Sequence, residues 1–288
     1  MRQLPALTLS QLDYLVAVAD SRSWAGAAAT RGVTPSALSQ GLAELERRLG
    51  VRLFERDGRR RTLAPTAAEV LAYARRVLAD TDDLARWLDQ VRSGHAGPFR
   101  LGMIDAAALG HWPHTLQALR SEHESVSLQL SIGPSGQLLD QLQANQLDLA
   151  VIVAPAEMPP GIDWTDLLRD PLAVYAPPGV VPGPPSTWGP WVSFPAASHT
   201  RRLIDEQLRR VGATVDVQSE SHQPEVLKEM VRLGLGWTVL PVIQAEGGVS
   251  PLIRAQPEPL LERRLVAARR NGRLPHPLTD WFIKQLVA

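Results

Sequence analysis

Apolar residues recur every three or four positions through most of residues 9–93, and this spacing predicts helices. The first helix is expected to begin near Ser10, because Asp13 three residues later would complete a capping pair. A second, shorter helix follows Ser23. Its alanines and glycine are small enough for another helix to approach closely, so tight packing against a neighbouring helix is expected.

The third helix has the clearest boundaries. Thr34 supplies an N-cap hydroxyl, and Pro35 occupies the first helical position, where its missing N–H costs nothing. The helix is expected to end at Leu49, because Gly50 can adopt the left-handed conformation that follows many helix ends. Only the short turn at residues 31–33 separates the second and third helices, which is the spacing of a helix-turn-helix.

A β-hairpin follows the third helix. Two short extended runs, residues 51–56 and 59–63, flank the turn dipeptide Asp57-Gly58, and a hairpin in this place is called a wing. The region is basic, since residues 1–62 contain ten Arg and six Asp plus Glu, a net charge of +4. The whole chain has a net charge of zero, so the remainder carries −4. A basic end on a mildly acidic body favours a nucleic-acid partner.

A long helix is predicted from about Pro65 to Val91, and the break at residues 93–98 marks a domain boundary. Its apolar positions alternate spacings of four and three, the heptad pattern of a helix–helix seam. The seam consists of Val70, Ala74, Val77, Thr81, Leu84, Leu88 and Val91. A helix packed on its own domain would show the same stripe. A homodimer is favoured because a two-fold axis would present two recognition helices to a pseudo-palindromic site.

Beyond residue 98 the pattern changes to alternating strands and helices. Strands are predicted at 99–104, 126–132, 147–153, 172–176, 215–218 and 236–240, helices at 112–122, 136–145, 200–211 and 224–234, and a Pro-rich loop at 177–190. The run at 147–153 is almost entirely apolar, as in strands buried on both faces of a parallel sheet. This alternation predicts a doubly wound α/β fold in two lobes, with a ligand cleft between them.

Composition excludes several classes of protein. The chain has 288 residues, 44% of them hydrophobic, so it can build two or three domains with real cores. Cysteine is absent, which excludes disulfides, thiolate zinc sites and cysteine nucleophiles. The first twenty residues lack the pattern of a signal peptide, and the longest apolar runs are far shorter than a bilayer span. A cytoplasmic location without a membrane partner is therefore expected.

The segment from Ser23 to Arg56 resembles the N-terminal domain of LysR-type transcriptional regulators. It contains paired alanines, then Ala-Leu-Ser, Leu-Glu-x-x-Leu-Gly and Leu-Phe-Glu-Arg, in that order and without a gap. Residues 148–150 (Asp-Leu-Ala) and the run from Met230 to Pro241 resemble parts of the family's effector domain.

The resemblance implies three parts. Residues 1–64 would form an α-helical winged helix-turn-helix DNA-binding domain, and residues 65–93 a long linker helix for dimerisation. Residues 98–288 would form a two-lobed α/β effector domain with a periplasmic-binding-protein-like fold. The implied function is a sequence-specific transcriptional regulator modulated by a small-molecule effector. The implied partners are double-stranded DNA, the effector, a second copy of the chain in a dimer or tetramer, and RNA polymerase.

Candidate DNA contacts lie on the first turns of the recognition helix and on the wing. They are Thr34, Pro35, Ser36, Ser39, Gln40, Arg56, Arg59, Arg60 and Arg61. Gln40 is best placed to read adenine through two hydrogen bonds, whereas the arginines suit phosphates or a minor groove. Gly41 departs from the family, where glutamine is frequent, and costs the helix roughly 1 kcal/mol relative to alanine.

Candidate effector contacts lie where strands end and helices begin, the usual ligand position in open α/β sheets. They are Asp105, Ala106, Ser135, Gly136, Ser198, His199, Thr200, Trp237 and Thr238. Free N–H groups at helix starts favour a small anion, helped by Arg201 or Arg202. The carboxylate of Asp105 would repel an anion or pair with an amine. The charge of the effector therefore stays open at this point.

Motifs for catalysis are weak. His111 and His114 have a spacing found in metal sites, but Pro113 separates them and no third ligand is evident. Residues 133–137 lack the final glycine of a nucleophile elbow, and no glycine-rich phosphate loop with lysine is present. The sequence predicts no catalytic residue, metal or cofactor. The alternative is an enzyme or a solute-binding protein that carries a helical appendage.

Overall fold

The computed structural model describes residues 6–57, 60–93, 97–248, 250–272, 274 and 276–288. Internal contacts divide the chain into an N-terminal unit, Met1–Asp89, and a C-terminal unit, Gln90–Ala288. Within the described ranges, every helix is too short or too polar to cross a bilayer.

The N-terminal unit is a helical domain with one hairpin. Its elements are α1 (Leu9–Asp20), α2 (Trp24–Thr30), α3 (Pro35–Leu49), β1 (Phe54–Asp57), β2 (Arg60–Leu63) and most of α4 (Ala67–Ser93). In α3 the buried leucines at 38, 42 and 45 are spaced by four and three residues, so they lie on one face of the helix. They pack with Leu12, Leu15 and Leu53 in the core of the unit.

Helix α1 begins earlier than the sequence predicts. Its N-cap is Thr8, whose Oγ1 accepts a hydrogen bond from the Gln11 N–H at 3.2 Å. The Gln11 side chain in turn accepts from the Thr8 N–H at 3.1 Å, which completes a capping box. The predicted pair of Ser10 and Asp13 is therefore wrong. Asp13 instead forms an ion pair with Arg31 at 2.7 Å, between α1 and the turn after α2.

The glycine inside α3 has a packing reason. A Cβ built on Gly41 would lie 2.8 Å from Cδ2 of Tyr14, closer than side-chain atoms normally approach. The aromatic ring of α1 therefore occupies the space that any other residue at position 41 would need. Glycine has a low helix propensity, but at this position it allows close contact between α1 and α3.

The apolar stripe of α4 has two environments. Ala74 is buried, and Val70 and Val77 pack against the core of the N-terminal unit. Thr81 bonds back to the carbonyl of Val77 at 2.9 Å. Farther along, Leu84 and Leu88 are 47% and 37% exposed, and Trp87 beside them is 41% exposed. The side chain of Val91 lies outside the described part of the chain. Packing on its own domain thus accounts for the first half of the stripe and leaves the second half exposed.

The C-terminal unit alternates strands and helices. Its elements are β3 (Phe99–Met103), a π-helical segment (Ala106–His111), α5 (Pro113–Glu122), β4 (Leu128–Ile132), α6 (Ser135–Gln143), β5 (Leu149–Val153), β6 (Ile162–Tyr175), a 3-10 turn (Pro185–Thr187), β7 (Trp191–Ser193), α7 (His199–Arg210), β8 (Val217–Glu220), α8 (Pro224–Arg232), β9 (Thr238–Pro241), α9 (Val242–Ala245), β10 (Leu261–Arg270) and α10 (Pro277–Val287).

Two long strands join two lobes. The main sheet has the order β4-β3-β5-β10-β6-β9, in which β3 pairs in parallel with β4 and β5, and the remaining pairs are antiparallel. Lobe 1 has a core around β3, β5, α6 and α10. Lobe 2 has a separate core around β7, α7, α8 and β9. Strand β6 begins in the first core and ends in the second, and β10 runs between the cores in the opposite direction. The predicted two-lobed α/β architecture is confirmed.

Several elements differ from the sequence prediction. Strand β6 is much longer than the predicted run at 172–176, and β7, β10 and α10 were not assigned from the sequence. Pro171 argues against a strand interior, yet it stands just before the residues of β6 that pair with β9. Strand β10 contains four arginines, which hide its apolar alternation. The sheet is mixed rather than wholly parallel, because β10 pairs antiparallel with β5 and β6, and β6 pairs antiparallel with β9.

We expect Gly41→Ala to destabilise the N-terminal unit by about 1–3 kcal/mol, because the added methyl group overpacks the contact with Tyr14 and outweighs the gain in helix propensity. Urea denaturation of the full chain measures this change. Gly136→Ala is the matched control, since a Cβ at this helical glycine meets nothing within 4 Å. An equal destabilisation in a Tyr14→Ala background would show that the ring is not the cause.

Candidate nucleic-acid interface and ligand cleft

The start of α3 is fixed by its cap. Thr34 Oγ1 accepts a hydrogen bond from the Ala37 N–H at 3.1 Å, and Pro35 fills the first helical position. At the other end, Gly50 has φ 69° and donates its N–H to the Glu46 carbonyl at 2.9 Å. These features match the sequence prediction. They also show that the Thr34 hydroxyl oxygen already has a partner within the helix.

The face of α3 opposite the buried leucines is polar. Pro35, Ser36 and Gln40 are exposed, and Ser39 is partly exposed. Because the apolar face of α3 is buried in its own core, the polar face is left exposed. In a DNA major groove, that face would bring the Gln40 amide and the Ser36 hydroxyl toward base edges.

Hydrogen bonds from the start of the hairpin attach the wing to α3. Glu46 Oε1 accepts hydrogen bonds from the N–H groups of Leu53 and Phe54, at 2.7 and 3.2 Å. The Phe54 ring packs edge-on against Trp24, with ring centroids 4.9 Å apart. The sequence analysis did not assign Glu46 this role. It fixes where the hairpin leaves the recognition helix.

The wing arginines follow the register of the hairpin. Arg56 lies opposite Arg61, and Asp57 lies opposite Arg60, in an antiparallel pair of strands. The side chains of Arg56, Arg60 and Arg61 lie outside the described part of the chain, as does all of Arg59.

A cleft of about 370 Å³ lies between the two lobes. Lobe 1 contributes the carboxyl ends of β3, β4 and β5, together with the first turn of α6. Lobe 2 contributes the segments after β7 and β8, the first turns of α7 and α8, and part of α9. The lining residues are Ile104, Asp105, Ala106, Ile132, Gly133, Pro134, Ser135, Gln137, Val153, Phe194, Ser198, Thr200, His222, Gln223, Pro224, Gln244 and Arg263.

The structure brings five of the nine predicted effector residues to this cleft: Asp105, Ala106, Ser135, Ser198 and Thr200. It places four elsewhere. Thr238 is fully buried in β9, and Trp237 packs between Trp188 and Trp191 in the core of lobe 2. Gly136 and His199 lie on the first turns of α6 and α7 but outside the lining. Trp237 and Thr238 stand at the start of β9 rather than at its carboxyl end, and their side chains are buried in the core.

Arg263 is the main residue of the cleft that the sequence did not indicate. It is only 5% exposed, and its Nε and Nη2 each lie 2.8 Å from Oδ2 of Asp170. Its Nη1 donates to Thr200 Oγ1 at 3.0 Å. The other oxygen of Asp170 lies 3.0 Å from His111 Nε2. The network therefore joins both shared strands to α7 of lobe 2 and to the π-helical segment of lobe 1.

The two carboxylates near the cleft differ in environment. Burial by itself would raise the pKa of Asp170, but the hydrogen bond from His111 and the charge and hydrogen bond of Arg263 outweigh it and lower the pKa. Asp170 is therefore ionised, and His111 donates from Nε2. For Asp105 burial prevails and raises the pKa. The attraction of Arg263 offsets only part of this effect, and the Glu225 carboxylate adds to it.

Two buried hydroxyls face the cleft with a proton to donate. Ser135 Oγ accepts from the Val153 N–H at 3.0 Å, and Thr200 Oγ1 accepts from Arg263. Within the described residues, neither hydroxyl donates a hydrogen bond. Because a hydroxyl carries one donor as well as its lone pairs, each can still bind an acceptor on a ligand.

We expect Asp170→Asn to destabilise the C-terminal unit by about 3–5 kcal/mol, because it leaves the buried Arg263 charge uncompensated. The double variant Asp170→Leu/Arg263→Met should be destabilised less, since it removes both charges. Urea denaturation measures both, with the exposed Asp163→Asn as control. The stabilisation from Asp170 should be complete above its ordinary pKa and disappear as pH falls through its lowered one. A double variant as unstable as Asp170→Asn would contradict this account.

Comparison with known proteins matches two family models to the chain. Residues 9–68 match the family model described as bacterial regulatory helix-turn-helix protein, lysR family, and residues 92–288 match the LysR substrate binding domain. The transcriptional activator IlvY of Salmonella typhimurium is 28% identical over 280 residues, covering 94% of this chain and 92% of that protein. The transcriptional regulator CbbR of Cereibacter sphaeroides is 31% identical over 251 residues, covering 83% and 80%.

A solved structure has the same fold. Full-length CbnR, solved in a complex with its target DNA, has a TM-score of 0.63 to this chain at 17% identity, covering 97% of this chain and 99% of CbnR. These relatives are regulators of transcription rather than enzymes. The two family models span nearly all of the sequence, and the winged helix and the two-lobed unit occur in the matching order. The chain belongs to the LysR family of bacterial transcriptional regulators.

Proposed function

We propose that the chain binds an operator in duplex DNA through α3 and the wing, and that a small-molecule effector in the interlobe cleft changes this binding. The main support for DNA binding is the exposed polar face of α3, whose opposite face is fixed in the core by three leucines. Family membership supports a transcriptional regulator of this kind. Because its target is the genome of the cell, we also propose that it acts in the cytoplasm.

The proposed base contacts begin with Gln40. Its amide is exposed on α3 and can form two hydrogen bonds with adenine, whereas Pro35, Ser36 and Ser39 would contact base edges or phosphates nearer the helix start. The Thr34 hydroxyl is committed to the cap, so its contribution to DNA binding would be mainly to hold the first turn in place. The wing arginines would bind phosphates or enter a minor groove.

We expect Arg59→Ala/Arg60→Ala/Arg61→Ala to weaken binding to every sequence and to reduce the salt slope by about 0.9 for each phosphate that is no longer neutralised. Gln40→Ala should instead relax the preference at one base pair, by about 1–3 kcal/mol. Fluorescence anisotropy with operators selected from random duplexes measures both effects. The control is a triple alanine variant of the exposed Arg169, Arg209 and Arg232 in the C-terminal unit. Wild-type protein that binds no duplex at low salt would overturn the proposed function.

The exposed half of the α4 stripe supports a homodimer. Leu84, Trp87 and Leu88 form one apolar surface on a helix whose earlier turns are already packed. Pairing two such helices would bury this surface and give the two recognition helices a two-fold axis.

The proposed domains are residues 1–64 for DNA binding, residues 65–93 for the linker helix and residues 98–288 for effector binding. A tetramer and contact with RNA polymerase are proposed from family membership alone.

We expect Leu84→Glu/Leu88→Glu to yield monomers with much weaker operator binding, because two charges cannot be buried in an apolar seam. Light scattering and anisotropy on the same sample measure the two effects. Val180→Glu/Val181→Glu is the matched control, since these exposed valines lie on a loop of the C-terminal unit. Wild-type chain that stays monomeric at micromolar concentration would rule out the seam as an interface.

The cleft has the features of a small-molecule site. Its volume falls in the lower part of the range of about 300–1,000 Å³ that is typical for ligand pockets. The hydroxyls of Ser135 and Thr200, one from each lobe, can donate to a carboxylate or other acceptor on the effector. The first turns of α6 and α7 bring further N–H donors to the same space, since neither helix has a side-chain cap. An effector bound to both lobes would favour one lobe arrangement over another.

A further inference from the structure

Asp105 is a charged group of the cleft whose role the fold does not explain. It stands at the carboxyl end of β3, as the residue before the π-helical segment, and its side chain makes no capping hydrogen bond. The side chain is half-buried and lines the cleft. Across the described residues, its carboxylate has no hydrogen-bond donor and no ion-pair partner. A carboxylate kept in this state at a ligand cleft is available to a ligand.

The neighbouring charges do not neutralise Asp105. Arg263 is the one Arg or Lys among the described residues that line the cleft, and its guanidinium is already bound to Asp170 and Thr200. Asp105 and Asp170 thus share a single buried cation, and the Glu225 carboxylate adds further negative charge. An anionic group placed beside Asp105 would be repelled, whereas a cationic group would be attracted.

The protonation energetics point the same way. Burial raises the pKa of Asp105, so its ionised form is less stable in the empty cleft than in water. A bound ammonium group would restore part of this stabilisation through a charge-assisted hydrogen bond. A metal ion is a poor candidate for this cation, because the described residues contain no cluster of three or more His, Asp or Glu that could hold one. The cation that fits is therefore organic.

We propose that the effector carries an amine that binds the carboxylate of Asp105, and an anionic or acceptor group that binds the hydroxyls of Ser135 and Thr200. The effector class is then a small zwitterion of the amino-acid type. The inference rests on the proposed function, in that the cleft is taken as the effector site. It goes further by assigning a charge to each end of the ligand.

Matched ligand sets test the proposal on the full chain. Each set consists of an amino acid, the 2-hydroxy acid of the same skeleton, which lacks the amine, and the primary amine of the same skeleton, which lacks the carboxylate. Thermal shift identifies stabilising compounds, and calorimetry gives their affinities. We expect at least one amino acid to bind wild-type protein about ten- to a hundredfold more tightly than its two analogues.

The decisive variant is Asp105→Asn, which keeps the size of the side chain and removes its charge. It should abolish the preference for the amino acid over the 2-hydroxy acid, while Asp163→Asn, an equal charge change on an exposed part of β6, should preserve it. A preference that survives Asp105→Asn would overturn the proposal. So would a 2-hydroxy acid that binds wild-type protein as tightly as its amino acid, or the failure of every amine-bearing probe to stabilise wild-type protein.

Operator binding, measured on the same samples, separates this inference from the proposed function. If 2-hydroxy acids change operator affinity and amino acids do not, the protein responds to an effector but the proposed binding of an amine by Asp105 is wrong. If the protein binds no operator, the proposed function itself fails.

Discussion

A buried ion pair connects the two strands that both lobes share. Asp170 on β6 and Arg263 on β10 lie directly opposite each other in the sheet. Neither charge would be tolerated alone at this depth, because removing an ion from water costs several kcal/mol. The pair also bonds His111 in lobe 1 and Thr200 in lobe 2. This one electrostatic contact therefore ties residues of both lobes to the strands that they share.

The same pair sets the charge of the cleft. Because Arg263 is committed to Asp170, it is a weak attractor for a ligand anion, despite lining the site. Neutral donors remain for an anion, among them the two hydroxyls and the first turns of α6 and α7. Asp105 remains as the carboxylate without a partner among the described residues. The sequence left the charge of the effector open, whereas the hydrogen bonds of the structure leave Asp105 as the unpaired charge among the cleft residues that the structure describes.

Local rules predicted the elements whose signals are local. Thr34, Pro35 and Gly50 fixed α3 because caps act within one turn of a helix. Strand β10 could not be predicted in the same way, since Arg263 is buried only through a partner 93 residues away in the sequence. Five of the nine predicted effector residues line the cleft. Trp237 and Thr238 do not, because they are buried by side chains that come from distant segments of the chain.

Four polar residues show how hydrogen bonding within the fold separates a structural role from a proposed functional one. Glu46 resembles a surface carboxylate in the sequence, yet both of its hydrogen bonds hold the start of the wing. Asp170 is likewise fully bonded within the fold. Gln40 and Asp105 are chemically similar to Glu46 and Asp170, but their side chains form no hydrogen bond or ion pair within the described residues. Residue type alone cannot separate these cases, because the partners that use up a polar group come from elsewhere in the chain. These two unbonded side chains lie on the outer face of α3 and in the cleft, where DNA and effector would bind.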